Sequence, residues 1–222
     1  MATTAGTIID QARDYSPLFT QRAIPDLVAL RVLARLERQL AEAVLMENPD
    51  ALSIWGDLFT GGNLPSTWAD GITLPANLLV TGVDLEYKAT VAKGRWYVEL
   101  ASPGQSLTQP HFFPTAYVMG SKLFLADLRD WFGDTLHGWE DVDNLRVRYV
   151  PVLGALTGLA TNISLPDTAV PALVALLALW MADRTGVKLP ALREDAPGAG
   201  AAWVAAMANL GSTRSWQVER VE

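Results

Sequence analysis

Six carboxylates crowd one stretch of this chain: Asp127, Asp130, Asp134, Glu140, Asp141 and Asp143, with Trp131, Phe132 and Trp139 among them. Two chemistries suit that composition. Paired carboxylates beside an aromatic floor can cleave a glycosidic bond, one acting as acid and the other as base or nucleophile. Hard oxygen ligands can also hold calcium, although this spacing matches no calcium loop. An acidic surface loop with aromatic anchors beneath it explains the same residues without any chemistry, and the irregular spacing favours that reading.

Other routes to catalysis are closed or weak. The chain has no cysteine, so a disulfide framework, a thiolate metal site and a cysteine nucleophile are all excluded. It has two histidines, His111 and His137, too few for a three-histidine metal site or an HExxH pair, and each reads as a surface or loop residue. No GxxxxGK[ST] phosphate loop and no GxSxG elbow occur, and Gly198 and Gly200 do not complete a dinucleotide fingerprint. No cofactor and no enzymatic activity are therefore expected. The net charge of −7 disfavours a general grip on phosphates, but it suits a surface past which DNA slides.

The elements that hold these residues change character along the sequence. The opening, MATTAGTIIDQARDYS, lacks a basic start and a long apolar core, so no signal peptide is expected. Residues 7–15 predict a short helix and 16–24 an ordered loop. Pro25 and Asp26 suit the start of a long helix running to Asn48–Pro49, with Leu30, Leu33, Leu36, Leu40 and Val44 as its apolar stripe. Arg31, Arg35 and Arg38 share another face of it, and Arg38 is placed to pair with Glu42. That face reads as solvated charge or as a subunit interface. Residues 49–76, with Gly61, Gly62, Pro65 and Pro75, predict a connection.

Alternation takes over from Leu85. A hairpin is expected around Lys93–Gly94, a second strand pair around Gly120–Ser121, and a last strand through Leu145, Val147 and Tyr149 ending at Pro151. Helix returns at Pro166–Asp167, with Asp167 as cap and Gly186 as exit. The stretch Ala169–Ala182 is apolar nearly all round and shorter than a membrane span, so Leu173, Leu176, Leu177 and Trp180 are expected in a core. A further helix is expected over about 198–210. Asn162-Ile163-Ser164 fits a glycosylation pattern, and in a chain with no secretory signal it reads as chance.

Two stretches resemble a known family. "IIDQARDYSPLF" followed by "PDLVALRVLARLERQLAEAVLMENPD" is similar to the opening of head-to-tail connector (adaptor) proteins of long-tailed bacteriophages. "LRVRYVPVLGALTGLATNISLPDTAVPALVALLALWMADR" resembles them too, in its strand ending Tyr-Val-Pro, its Leu-Pro-Asp helix start and its close at Ala-Asp-Arg. The resemblance covers Ile8 to Pro49 and Leu145 to Arg184, and leaves 56–144 unmatched. It implies a virion protein of the capsid vertex and neck, made in the host cytoplasm. Such a protein forms a homo-oligomeric ring, commonly a dodecamer, between the portal protein and a tail or neck completion protein, and DNA passes through without sequence recognition.

These readings together give an α+β protein, a helical bundle with a β-rich insertion. Residues 1–55 and 152–210 form the helical core, 56–151 the insertion, and 211–222 a C-terminal tail. Arg31, Arg35 and Arg38 are the expected subunit interface, and no membrane is involved. In the tail, Arg214, Trp216, Val218 and Arg220 alternate as in a strand that adds to a partner's sheet edge, and the resemblance makes the portal that partner. The competing reading is a carbohydrate- or peptide-binding module using the acidic, aromatic surface of 127–143.

Overall fold

The chain is mixed α+β. A computed structural model describes residues 3–60, 71–87, 95–101, 115–125 and 142–210. In order, these contain α1 (Ala5–Arg13), α2 (Asp26–Glu47), a 3-10 turn (Pro49–Leu52), and the strands β1 (Ile54–Thr60), β2 (Ile72–Thr73), β3 (Asn77–Tyr87), β4 (Arg95–Leu100), β5 (Thr115–Met119), β6 (Lys122–Leu125) and β7 (Val142–Pro151). A second 3-10 turn (Asp167–Ala169), α3 (Val170–Thr185) and α4 (Pro190–Asn209) follow. The chain divides into two compact units. One is Ser53–Val152; the other combines the segments up to Leu52 and from Leu153 onward. The boundaries read from sequence were 55/56 and 151/152.

The discontinuous unit holds the helices. Thr4 caps α1 by accepting the Thr7 N–H on its hydroxyl at 3.3 Å, and Ala5, Ile8, Ile9 and Ala12 face inward at helical spacing. Pro25 precedes α2 with Asp26 in its first turn, and Ala29, Leu30, Leu33, Leu40, Ala41 and Val44 are buried along one side. Leu36, expected in that stripe, sits at its half-buried margin. In the linker between α1 and α2, Phe19 and Ile24 plug the same core. The N-terminal segment is stitched to the loop before α3: Ala5 N–H donates to Thr161 O and Gly6 N–H to Leu159 O, both at 2.8 Å, and Ile163 N–H donates to Thr3 O at 3.1 Å.

Asp167 does not cap its own helix. Its Oδ1 accepts from Thr3 N at 3.1 Å and Thr3 Oγ1 at 2.9 Å, so this carboxylate ties the chain's beginning to the entry of α3. Within α3, Leu173, Leu177, Ala178 and Met181 are completely buried. Leu176 and Trp180, at the same i, i+3, i+4, i+7 spacing, are only half-buried. With the preceding 3-10 turn, the helical run Asp167–Thr185 is long and apolar enough to cross a membrane, longer than the stretch singled out by sequence. Its inward side instead packs in one cluster with side chains of α1, α2 and α4. Gly186 ends α3 at φ 72°, the left-handed conformation that glycine adopts at low cost. The next helix, α4, starts at Pro190 rather than near 198. Leu192, Ala196, Gly200, Trp203 and Met207 form its buried side.

The other unit is built from strands in the order β1-β7-β3-β4-β5-β6-β2. Neighbours are antiparallel except β4 and β5, which share a short parallel contact, Glu99↔Thr115 and Leu100↔Ala116. Two small antiparallel sheets are thus joined at that seam. Val83, Leu85, Val98, Leu145 and Val147 supply the apolar side, with Ala116, Leu123 and Leu74. The expected β3–β4 hairpin is present in register Val83↔Val98, and its Lys93–Gly94 turn lies outside the described residues. The second pair turns at Gly120 as expected. Two strands went unforeseen: β1 and β2 lie in the stretch read as a connection.

Candidate assembly surface

The helix α2 has two unlike sides. With 3.6 residues per turn, Leu27, Val28, Arg31, Arg35, Arg38, Glu42 and Met46 fall within an arc of about 100°. All are exposed: Leu27 60%, Val28 37% and Met46 89%, with the arginines and Glu42 beside them. The face runs roughly 28 Å, at 1.5 Å per residue, with apolar side chains at both ends and guanidinium groups between. Arg31, Arg35 and Arg38 make no hydrogen bond or ion pair with any described residue, and the expected Arg38–Glu42 pair does not form. Exposed ion pairs one helical turn apart gain only a few tenths of a kcal/mol, too little to immobilise two long side chains.

On the inward side of the same helix, Glu37 is buried. The backbone N–H groups of Ser164 and Leu165 both donate to its Oε1, the second at 3.1 Å. Burial pushes the Glu37 carboxyl above its ordinary value, and the two N–H groups pull it part of the way back. This carboxylate fixes the loop that leads into α3. A second polar tie joins the first two helices. Nη2 of Arg13 donates to Ile24 O at 3.0 Å and to Asp26 Oδ1 at 2.6 Å, and Gln21 donates to the other Asp26 oxygen at 2.6 Å. Both groupings hold the fold.

The strand unit has a polar face of its own. Trp55, Asp57, Arg146, Arg148, Gly82 and Asp84 stand in register across β1, β7 and β3. Arg146 lies over the Trp55 ring with its guanidinium carbon 5.1 Å from the centroid, and its Nε is 3.1 Å from Asp57 Oδ1. Asn144 donates to Glu86 at 3.1 Å one register step on. Sequence reasoning missed this grouping because β1 was not recognised.

Of the residues singled out in advance, Arg31, Arg35 and Arg38 come together on one exposed face. Arg214, Trp216, Val218 and Arg220 lie outside the described residues, as do His111, His137 and the acidic stretch up to Asp141. Asp143 is half-buried in β7. Among the described residues, no group of three or more His, Cys, Asp or Glu is placed to hold a metal ion. No protein-family model matches this sequence, and no curated protein is significantly similar to it.

Proposed function

We propose that this chain is a structural assembly protein, a head-to-tail connector of the bacteriophage neck. In this reading the helical unit is a bundle core, 1–55 with 152–210, and the strand unit 56–151 is an insertion carried on it. Copies form a closed ring, a dodecamer in the commonest arrangement of such proteins, between the portal protein and a tail or neck completion protein. DNA passes through the ring without being read. The protein acts in the virion after synthesis in the host cytoplasm, with no membrane, cofactor or catalytic step.

The observation that carries the reading is the outward face of α2, where Arg31, Arg35 and Arg38 have no partner among the described residues and lie between exposed Leu27, Val28 and Met46. Apolar anchors with interleaved arginine are the composition of a protein–protein contact. The resemblance of Ile8 to Pro49 and of Leu145 to Arg184 supports the identity of the assembly, since those residues build α1, α2, β7 and α3. The tail, with Arg214, Trp216, Val218 and Arg220, adds to the portal by strand pairing, Trp216 serving as anchor and the arginines meeting acidic portal groups.

Purified full-length protein should sediment as a closed ring, with rotational symmetry visible in averaged electron micrographs, and should be captured by a portal. Deleting 212–222 should abolish capture and leave the thermal transition in place. A chain that is monomeric at every concentration, with or without portal, would end the proposal. A carbohydrate- or peptide-binding module is the second reading. The observation favouring it is the Trp55–Arg146 grouping, an exposed aromatic ring beside polar groups. A monomer that binds glycans would establish it.

A further inference from the structure

The outward face of α2 needs an acidic partner with room for bulky side chains, and the chain carries such a surface on α4. Glu194 and Asp195 are exposed there, and neither makes a hydrogen bond or ion pair among the described residues, whereas the adjacent Arg193 is already held by Asp183 at 2.6 Å. About two to three turns further along the same side, Ala201, Ala202, Ala205 and Ala206 are exposed. Two unpaired carboxylates followed by methyl groups match three unpaired guanidinium groups followed by leucine and valine.

We infer that the α2 face of one copy seats antiparallel on the outer face of α4 of a second copy, resting on the ring reading above. The register follows from spacing. Leu27 and Arg38 are as far apart in sequence as Ala205 and Glu194, since 38 − 27 and 205 − 194 are equal. With Arg38 level with Glu194, Leu27 lies over Ala205, and Val28, one residue on, falls between Ala202 and Ala205. Arg35, one turn away, reaches Asp195. Small side chains on α4 let the helix axes approach closely, which allows the larger apolar groups of α2 to bury. Opposed helix dipoles favour the antiparallel direction. The parallel alternative sets Arg31 on Glu194 and leaves Leu27 level with Pro190, with no alanine surface beneath it. A contact between two different faces is heterologous, the type that closes into rings.

Charge reversal tests the pairing. Arg35→Glu with Arg38→Glu, and separately Glu194→Arg with Asp195→Arg, should each raise the concentration needed for ring assembly at least about tenfold, because like charges then meet across the contact. Combining all four substitutions should restore assembly. Every substituted position is exposed, so the thermal transition of the unassembled chain should not move. Because the natural chain has no cysteine, orientation can be read by cross-linking. A copy with Leu27→Cys mixed with a copy carrying Ala205→Cys should form a disulfide, and a copy with Ala191→Cys should not. Rings that assemble normally with either reversed pair would overturn this contact and leave the ring itself intact. Cross-linking to position 191 in place of 205 would overturn the antiparallel register. A wild-type chain that never assembles would remove both this contact and the ring.

Discussion

Helices α2 and α3 belong to the same unit and share one core, yet they use their surfaces in opposite ways. In α3, apolar side chains point nearly all round, and Leu173, Leu177, Ala178 and Met181 reach complete burial. In α2, a buried stripe from Ala29 to Val44 backs onto a charged and apolar outer face. The difference separates two jobs that a hydrophobic sequence can have. The apolar excess of α3 is absorbed by packing within the chain and leaves little surface to offer. The exposed Leu27, Val28 and Met46 on α2 are not absorbed, and they flank charges that have no partner among the described residues. Stability should therefore depend on α3 and on the inner side of α2, and association on the outer side of α2.

The comparison would break first at α3. Leu177→Asp places an unpaired charge in a fully buried site and should cost on the order of 4 kcal/mol or more, seen as a collapse of the denaturant midpoint. An unchanged midpoint would mean that α3 is not the core helix. The next largest effect belongs to Glu37. Replacing it with alanine strands the Ser164 and Leu165 N–H groups and should cost about 1–3 kcal/mol in urea unfolding. Glu37→Gln keeps an acceptor and should lose less.

The same residue gives a pH test. Its carboxyl holds its proton more tightly in the folded chain than in the unfolded one, so its contribution to stability is greatest in acid and is lost as pH rises through the raised value. Wild type should therefore gain stability relative to Glu37→Gln as pH falls through that window, measured by paired unfolding curves. A gap that stays constant with pH would mean the carboxyl is not desolvated. The smallest effect is expected on the outer face. Changing Arg31, Arg35 and Arg38 together to Gln should move the unfolding free energy of the unassembled chain by no more than about 0.5 kcal/mol. A larger loss would place these arginines in the fold and blur the distinction between the two helices.

Much of this architecture is legible in the sequence where one periodicity holds over several turns. The stripe from Leu30 to Val44, the alternation in β7 and the Gly186 stop all have a local cause. Legibility fails where tertiary packing overrides local preference. Pro197, Gly198 and Gly200 look like breakers, yet they lie inside α4. Gly200 is buried against Leu176 and Leu40, and packing of α4 in the shared core outweighs the weak helix preference of these residues. Strand β1 was hidden by its neighbours Gly61, Gly62 and Pro65, and by a register shift between Asp57 and Phe59 that breaks its pairing pattern with β7. On α2, the arginines were visible at once. The apolar ends of that face emerged only when burial separated Leu27, Val28 and Met46 from the leucines that pack inside.

The hydrogen bonds that hold Thr3, Ala5 and Gly6 to residues 159–167 have a consequence for the order of events on the ribosome. Helices α1 and α2 are synthesised first, but the loop and helix they fold against follow the whole of Ser53–Val152. At roughly 5–20 residues per second, the nascent helices wait on the order of 5–20 seconds with their apolar stripes uncovered. The strand unit is contiguous and can close during that interval. Synthesis therefore allows the later-starting unit to close first, and the apolar stripes of the early helices are covered only once α3 emerges.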